Sequence, residues 1–141
     1  FVVTPGAYKV YAQPWSKQSN SLDLTVTPSN SQSITVSSPS GGSVLRVGQP
    51  YSITWTGHWE RGDEVFSINT FPTNSDVYGT IATVSSSQAS CSGNGMGHWA
   101  APVTCHYIWT PTYSTPSLRI GIFNSNNGND FGYSGTFSIT Q

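Results

Sequence analysis

Ten residues narrow what this chain can become more than any others: Val47-Gly48-Gln49-Pro50-Tyr51-Ser52-Ile53-Thr54-Trp55-Thr56. Tyr51, Ile53 and Trp55 fall on one side of an extended chain and Ser52, Thr54 and Thr56 on the other, the period of two of a half-buried strand. Gly48, Gln49 and Pro50 supply a turn before it, and Thr56-Gly57 starts the next break. Such a strand has to pair along its edges and cover its apolar face, so the rest of the chain must offer further strands.

From residue 34 onward it does. Short alternating segments at 34–36, 44–47, 65–71, 81–84 and 107–109 are separated by Pro39-Ser40-Gly41-Gly42, Pro72-Thr73-Asn74 and Pro111. Leu118, Ile120 and Ile122 share a face opposite Arg119, Gly121 and Phe123, and Phe137 and Ile139 close the chain. No window carries a useful helical i, i+3, i+4 pattern, and turns recur about every 8 to 12 residues, the spacing of an antiparallel β-sandwich.

The opening segment reads as a β-hairpin. Tyr8 and Val10 alternate with Lys9 and Tyr11, Leu22, Leu24 and Val26 alternate with Asp23, Thr25 and Thr27, and residues 13–20 turn between them. A two-stranded hairpin is marginal alone, so it has to dock somewhere, in its own domain or against a neighbour. Thr27-Pro28-Ser29-Asn30-Ser31-Gln32-Ser33 has linker composition. The expected organisation is a hairpin and linker over 1–32 and a sandwich over 33–141.

Charge excludes several partners. Only 8% of the 141 residues are charged and the formal net charge is -1, against about 25% charged in an ordinary globular domain. The five Lys and Arg are scattered, so neither nucleic acid nor an anionic membrane has the basic cluster it needs. No run approaches the roughly 20 apolar residues of a membrane span. Phe1-Val2-Val3-Thr4-Pro5 is too short for the core of a signal peptide, and the lack of an initiating Met suggests a processed product or an excised piece. Cys91 and Cys105, in a Ser/Thr-rich chain, read as a disulfide, the alternative being two buried thiols.

Several of these pieces resemble a known family. Ser33-Ile34-Thr35-Val36-Ser37-Ser38-Pro39-Ser40-Gly41-Gly42-Ser43, Val47-Gly48 and Tyr51-Ser52-Ile53-Thr54-Trp55-Thr56 look like the start of the Kre9/Knh1-type Ig-like domain, the Ser-Thr-rich GPI-anchored membrane family. Ile81-Ala82, Tyr107-Ile108-Trp109-Thr110-Pro111 and Tyr133-Ser134-Gly135-Thr136-Phe137-Ser138-Ile139 fall where that family has its later elements. The resemblance covers about residues 33–140 and implies an all-β, Ig-like antiparallel β-sandwich in an extracellular protein. The cysteine loop and the insert at residues 58–64 depart from it, so no ligand is carried over. Pro5-Gly6-Ala7-Tyr8-Lys9-Val10-Tyr11 and Asn20-Ser21-Leu22-Asp23-Leu24-Thr25-Val26 are similar to the last two strands of a preceding Ig-like domain.

Catalytic chemistry finds little purchase. Asp23, Glu60, Asp63, Glu64, Asp76 and Asp130 include only one close cluster, Glu60 to Glu64, in a stretch that reads as a solvated loop. Neither a carboxylate pair across a cleft nor a Gly-x-Ser-x-Gly elbow beside His58, His98 or His106 is indicated. His58, Glu60, Asp63 and Glu64 lack metal-ligand spacing, residues 124–130 read as an Asn/Gly turn in preference to a calcium loop, and Arg61-Gly62-Asp63 as a turn. No metal or cofactor is expected. Trp55 and Trp109 belong to the core, whereas Trp15, Trp59 and Trp99 sit in predicted turns. There each can present an exposed plate for a protein or a glycan, or fold back to cap its own sandwich.

The expected function is a non-enzymatic extracellular structural module of a cell-surface protein, joined end to end with neighbouring Ig-like units in a tandem array or filament. Tyr8, Val10, Leu22, Leu24 and Val26 would make the contact by strand complementation. The partners are then copies of itself or neighbouring Ig-like domains, without nucleic acid or direct membrane insertion. The alternative is a carbohydrate-binding module of a secreted or cell-wall protein, with cell-wall glycan as partner.

Overall fold

The computed structural model describes residues 33–59, 63–74, 78–93 and 102–141, together with the backbone course of 6–10 and 22–26. Among the described residues it is all-β, with eleven strands in chain order. The chain divides into two compact units, Phe1–Ser31 and Gln32–Gln141.

The first unit contains β1 (Gly6–Val10) and β2 (Leu22–Val26). They form an antiparallel ladder in which Gly6 faces Val26, Tyr8 faces Leu24 and Val10 faces Leu22. Because directly opposed residues share a face of the ribbon, this register gathers the five predicted contact positions on one side. Lys9 stands opposite Asp23 on the other.

The second unit is a two-layer sandwich. Its smaller sheet holds β3 (Thr35–Ser38), β5 (Tyr51–Gly57) and β8 (Val103–Trp109), with β5 in the middle. The larger has the order β4 (Val44–Arg46), β11 (Phe137–Thr140), β9 (Thr115–Asn124), β6 (Val65–Pro72), β7 (Gly79–Ser85), and β10 (Phe131–Tyr133) also pairs with β9. β11 lies along the first half of β9 and β10 along the second, while β6 takes its other edge from Leu118 to Asn124. Pairing is antiparallel except between β4 and β11, which run parallel.

The core follows from the alternation read in the sequence. Ile53 and Trp55 point inward from β5, and Leu118, Ile120 and Ile122 from β9, all fully buried. Trp55 meets Phe66 of the opposite layer edge-on, ring centroids 5.4 Å apart. Trp109, expected inside, is partly buried against this cluster. The short strand β10 carries no pattern of its own and is held by its neighbours. Ile34 N–H donates to Phe131 O, and beyond β10 the Ser134 hydroxyl accepts from Ile120 N–H, filling the step before β11.

Two glycines explain turns that composition alone leaves open. Gly48 takes a positive φ of 78° and donates its N–H to Pro111 O, setting the approach to β5. Gly132 faces inward on β10, where a Cβ would overlap the Ile34 carbonyl. Gly132→Ala is therefore expected to cost about 3 kcal/mol, the upper end for overpacking. Gly128→Ala, with nothing within 4 Å of a Cβ, should stay within about 0.5 kcal/mol. Urea unfolding of the two variants checks both.

Candidate functional site: an aromatic face on the large sheet

Since Phe66, Ile68, Ile120 and Ile122 turn inward, the intervening positions of β6 and β9 turn outward. The register then brings together residues far apart in sequence. Phe71 stands opposite Arg119, Asn69 opposite Gly121, and Ser67 opposite Phe123. On the other side of β9, Gly121 faces Tyr133 and Phe123 faces Phe131.

The result is a continuous aromatic surface on the side of the sheet away from the core. Phe71 stacks with Tyr78 at 5.7 Å and meets Tyr133 edge-on at 5.4 Å. Phe123 lies 5.9 Å from Phe71, 5.8 Å from Tyr133 and 6.3 Å from Phe131. Gly121 allows this gathering, because a Cβ there would come within 2.9 Å or less of the rings of Phe71, Phe123 and Tyr133. A side chain at 121 would push the rings apart. Aromatic pairs of this kind contribute roughly 0.5–1.5 kcal/mol each beyond area burial, so the face is held in shape by its own contacts. Four of the rings are half-buried by each other, and Tyr78 is 60% exposed.

Polar groups are set into the same surface. The Arg119 guanidinium lies 5.0 Å from the centroid of the Tyr133 ring, a cation–π contact. Asn69, buried, donates from Nδ2 to Ser67 Oγ at 3.0 Å, and its Oδ1 accepts no hydrogen bond. Rings, one fixed guanidinium and an amide make a surface for binding. Among the described residues no group of three or more His, Cys, Asp or Glu converges to hold a metal.

Of the tryptophans weighed as exposed plates, the described residues include only Trp59, and it lies elsewhere. Trp59 is corrected outright: it is 6% exposed and folds back over Gly57, whose missing side chain leaves room for the indole, to meet Phe66 edge-on at 5.2 Å. Apolar burial outweighs display, although its Nε1 is left without a partner. Trp15 and Trp99 lie outside the described residues, as do Glu60, Arg61, Gly62, Asp76 and His98. Glu64, expected in a solvated loop, is 6% exposed. With Trp59, Phe66, Ser86, Val103 and the two cysteines it lines a cavity of about 10 Å³, room for roughly one water and no larger ligand. Residues 124–130 do form a turn: Asn124 N–H donates to Asp130 O, and the Asp130 carboxylate accepts from Asn127 Nδ2.

Cys91 and Cys105 are joined in a disulfide. Cys105 is buried on β8, and Cys91 ends the turn that follows β7 and lies beside the Ser92–Thr104 bridge, so the disulfide pins this segment to the edge of the small sheet. Around it residues 89–92 cover the edge of β8, with Ser92 and Thr104 exchanging backbone hydrogen bonds and His106 N–H donating to Ala89 O. The bridge fits a secreted or extracellular protein, and no helix among the described residues is long and apolar enough to cross a membrane. Comparison with protein-family models and with curated proteins finds no match.

Reducing the disulfide, or replacing both cysteines by serine, should lower unfolding stability by about 3 kcal/mol, the chain-entropy value for a loop of this size. The check is the shift of the urea midpoint with and without reductant; an unmoved midpoint contradicts the role given to the bridge.

Proposed function

We propose that the chain is a non-enzymatic extracellular structural module of a cell-surface protein, joined end to end with neighbouring Ig-like units in a tandem array or filament. One observation carries this reading. Residues Phe1–Ser31 form a compact unit whose described strands pair only with each other, and a two-stranded ribbon of five pairs is marginal in water. Strand addition to the sheet of a neighbouring unit would satisfy its open edges. The large sheet offers an acceptor in β7, an edge strand with neither charge nor proline, the two devices that most often block edge pairing. The likeness to Kre9/Knh1-type domains and the disulfide are in keeping with an extracellular setting.

A second reading, a carbohydrate-binding module, is favoured by the outer aromatic face of Phe71, Tyr78, Phe123, Phe131 and Tyr133, which offers the ring platform that buried Trp59 does not.

Removing residues 1–31 tests the first reading. The full chain should associate with rising concentration and give linear particles by electron microscopy, while the truncated chain should remain folded and monodisperse by light scattering. A monodisperse full chain, or a truncated chain that unfolds, removes the connector role from the hairpin.

A further inference from the structure

We propose that the outer face of the large sheet binds an acidic, carboxylate-bearing polysaccharide, its sugar rings lying against the aromatic surface and its carboxylates taken by Arg119. The inference rests on the carbohydrate reading and names its ligand class.

Charge selects the ligand. The six strands of this sheet carry Arg46 and Arg119 and not one Asp or Glu, and both arginines are exposed at outward positions. The whole chain is slightly negative, at -1, so the positive character belongs to this face and not to the molecule. Complementarity calls for an anion on a protein that has no general affinity for polyanions.

The kind of anion follows from geometry. Contact with the Tyr133 ring restrains the Arg119 guanidinium, and a planar donor fork held in place matches a planar carboxylate in two parallel hydrogen bonds. Next to it the face supplies what a sugar needs. Ring faces accept the apolar sides of pyranoses, and Ser67, Asn69, Thr80 and Thr83 interleave hydroxyls and an amide among the rings. A protein partner would more simply be met by the closed apolar centre of an ordinary interface. Here polar and aromatic positions alternate across the whole patch, and a hydroxyl-rich chain satisfies both.

The experiment is affinity electrophoresis of the full chain through gels containing polygalacturonate, a neutral β-glucan or dextran sulfate, repeated with Arg119→Gln and Tyr78→Ala. Thermal unfolding confirms that each variant is folded. Polygalacturonate should retard the chain, and each substitution should weaken its affinity about tenfold, the equivalent of one charge-assisted contact or one ring. Absence of retardation by polygalacturonate overturns the proposal, as does retardation unaltered by Arg119→Gln. Equal affinity for the neutral glucan, lost in Tyr78→Ala, keeps the carbohydrate reading and overturns the acidic ligand. Dextran sulfate binding that ignores Tyr78→Ala reduces the effect to bare charge and overturns it too. Light scattering that reveals a dimer abolished by Tyr78→Ala assigns the face to a second copy instead.

Discussion

The sandwich depends on one large ring being driven between two unequal layers. The smaller sheet has three strands, and from its central one Trp55, fully buried and edge-on to Phe66, reaches across to the opposite layer. Its indole N–H finds no acceptor, a cost of about 1–3 kcal/mol for an unsatisfied buried donor. The arrangement persists because a ring of this size removes some 150–250 Å² from water, worth several kcal/mol at about 25 cal/mol per Å². Trp59 repeats the bargain on another side of Phe66. Two tryptophans converging on one phenylalanine explain why the end of β5 is closed, and why neither ring is available to a ligand.

With the inward positions committed to the core, binding chemistry falls to the outward ones. On most β-sandwich faces these would be charged or hydroxylated. Here β6, β9 and β10 contribute aromatic residues around Gly121, and Arg119 lies against them. The same alternation thus builds both sides of the large sheet: one parity makes the hydrophobic centre, and the other makes the outer aromatic face. The described acidic residues of the sandwich unit, Asp63, Glu64 and Asp130, lie outside its strands, whereas Arg46 and Arg119 lie on the large sheet.

Elements with strict period-two patterns were legible from the sequence. β5 follows from Tyr51, Ile53 and Trp55, and β9 from Leu118, Ile120 and Ile122; the hairpin register follows from Tyr8, Val10, Leu22, Leu24 and Val26. The two half-cystines were legible as a pair. β10 was not, because Phe131-Gly132-Tyr133 is too short to show a period and is held by Ile34 and β9. Trp59 misled because a tryptophan beside a predicted turn looks exposed until Gly57 is seen to open a seat for it. The aromatic face escaped for a different reason: it depends on which strands are neighbours, and residues 71, 123 and 133 meet only once β6, β9 and β10 are placed side by side. A signal was nonetheless present, in that Phe123 shares the outward parity of β9 with Arg119 and Gly121.

The covalent link between Cys91 and Cys105 spans a separation of 14 residues, and its two ends lie across from each other on β8 and on the segment along its edge. A protease that severs one peptide bond within 92–104 would therefore leave two polypeptides fastened together, each still woven into the same pair of sheets. The bridge thus makes the integrity of the domain independent of the continuity of the chain between its two half-cystines.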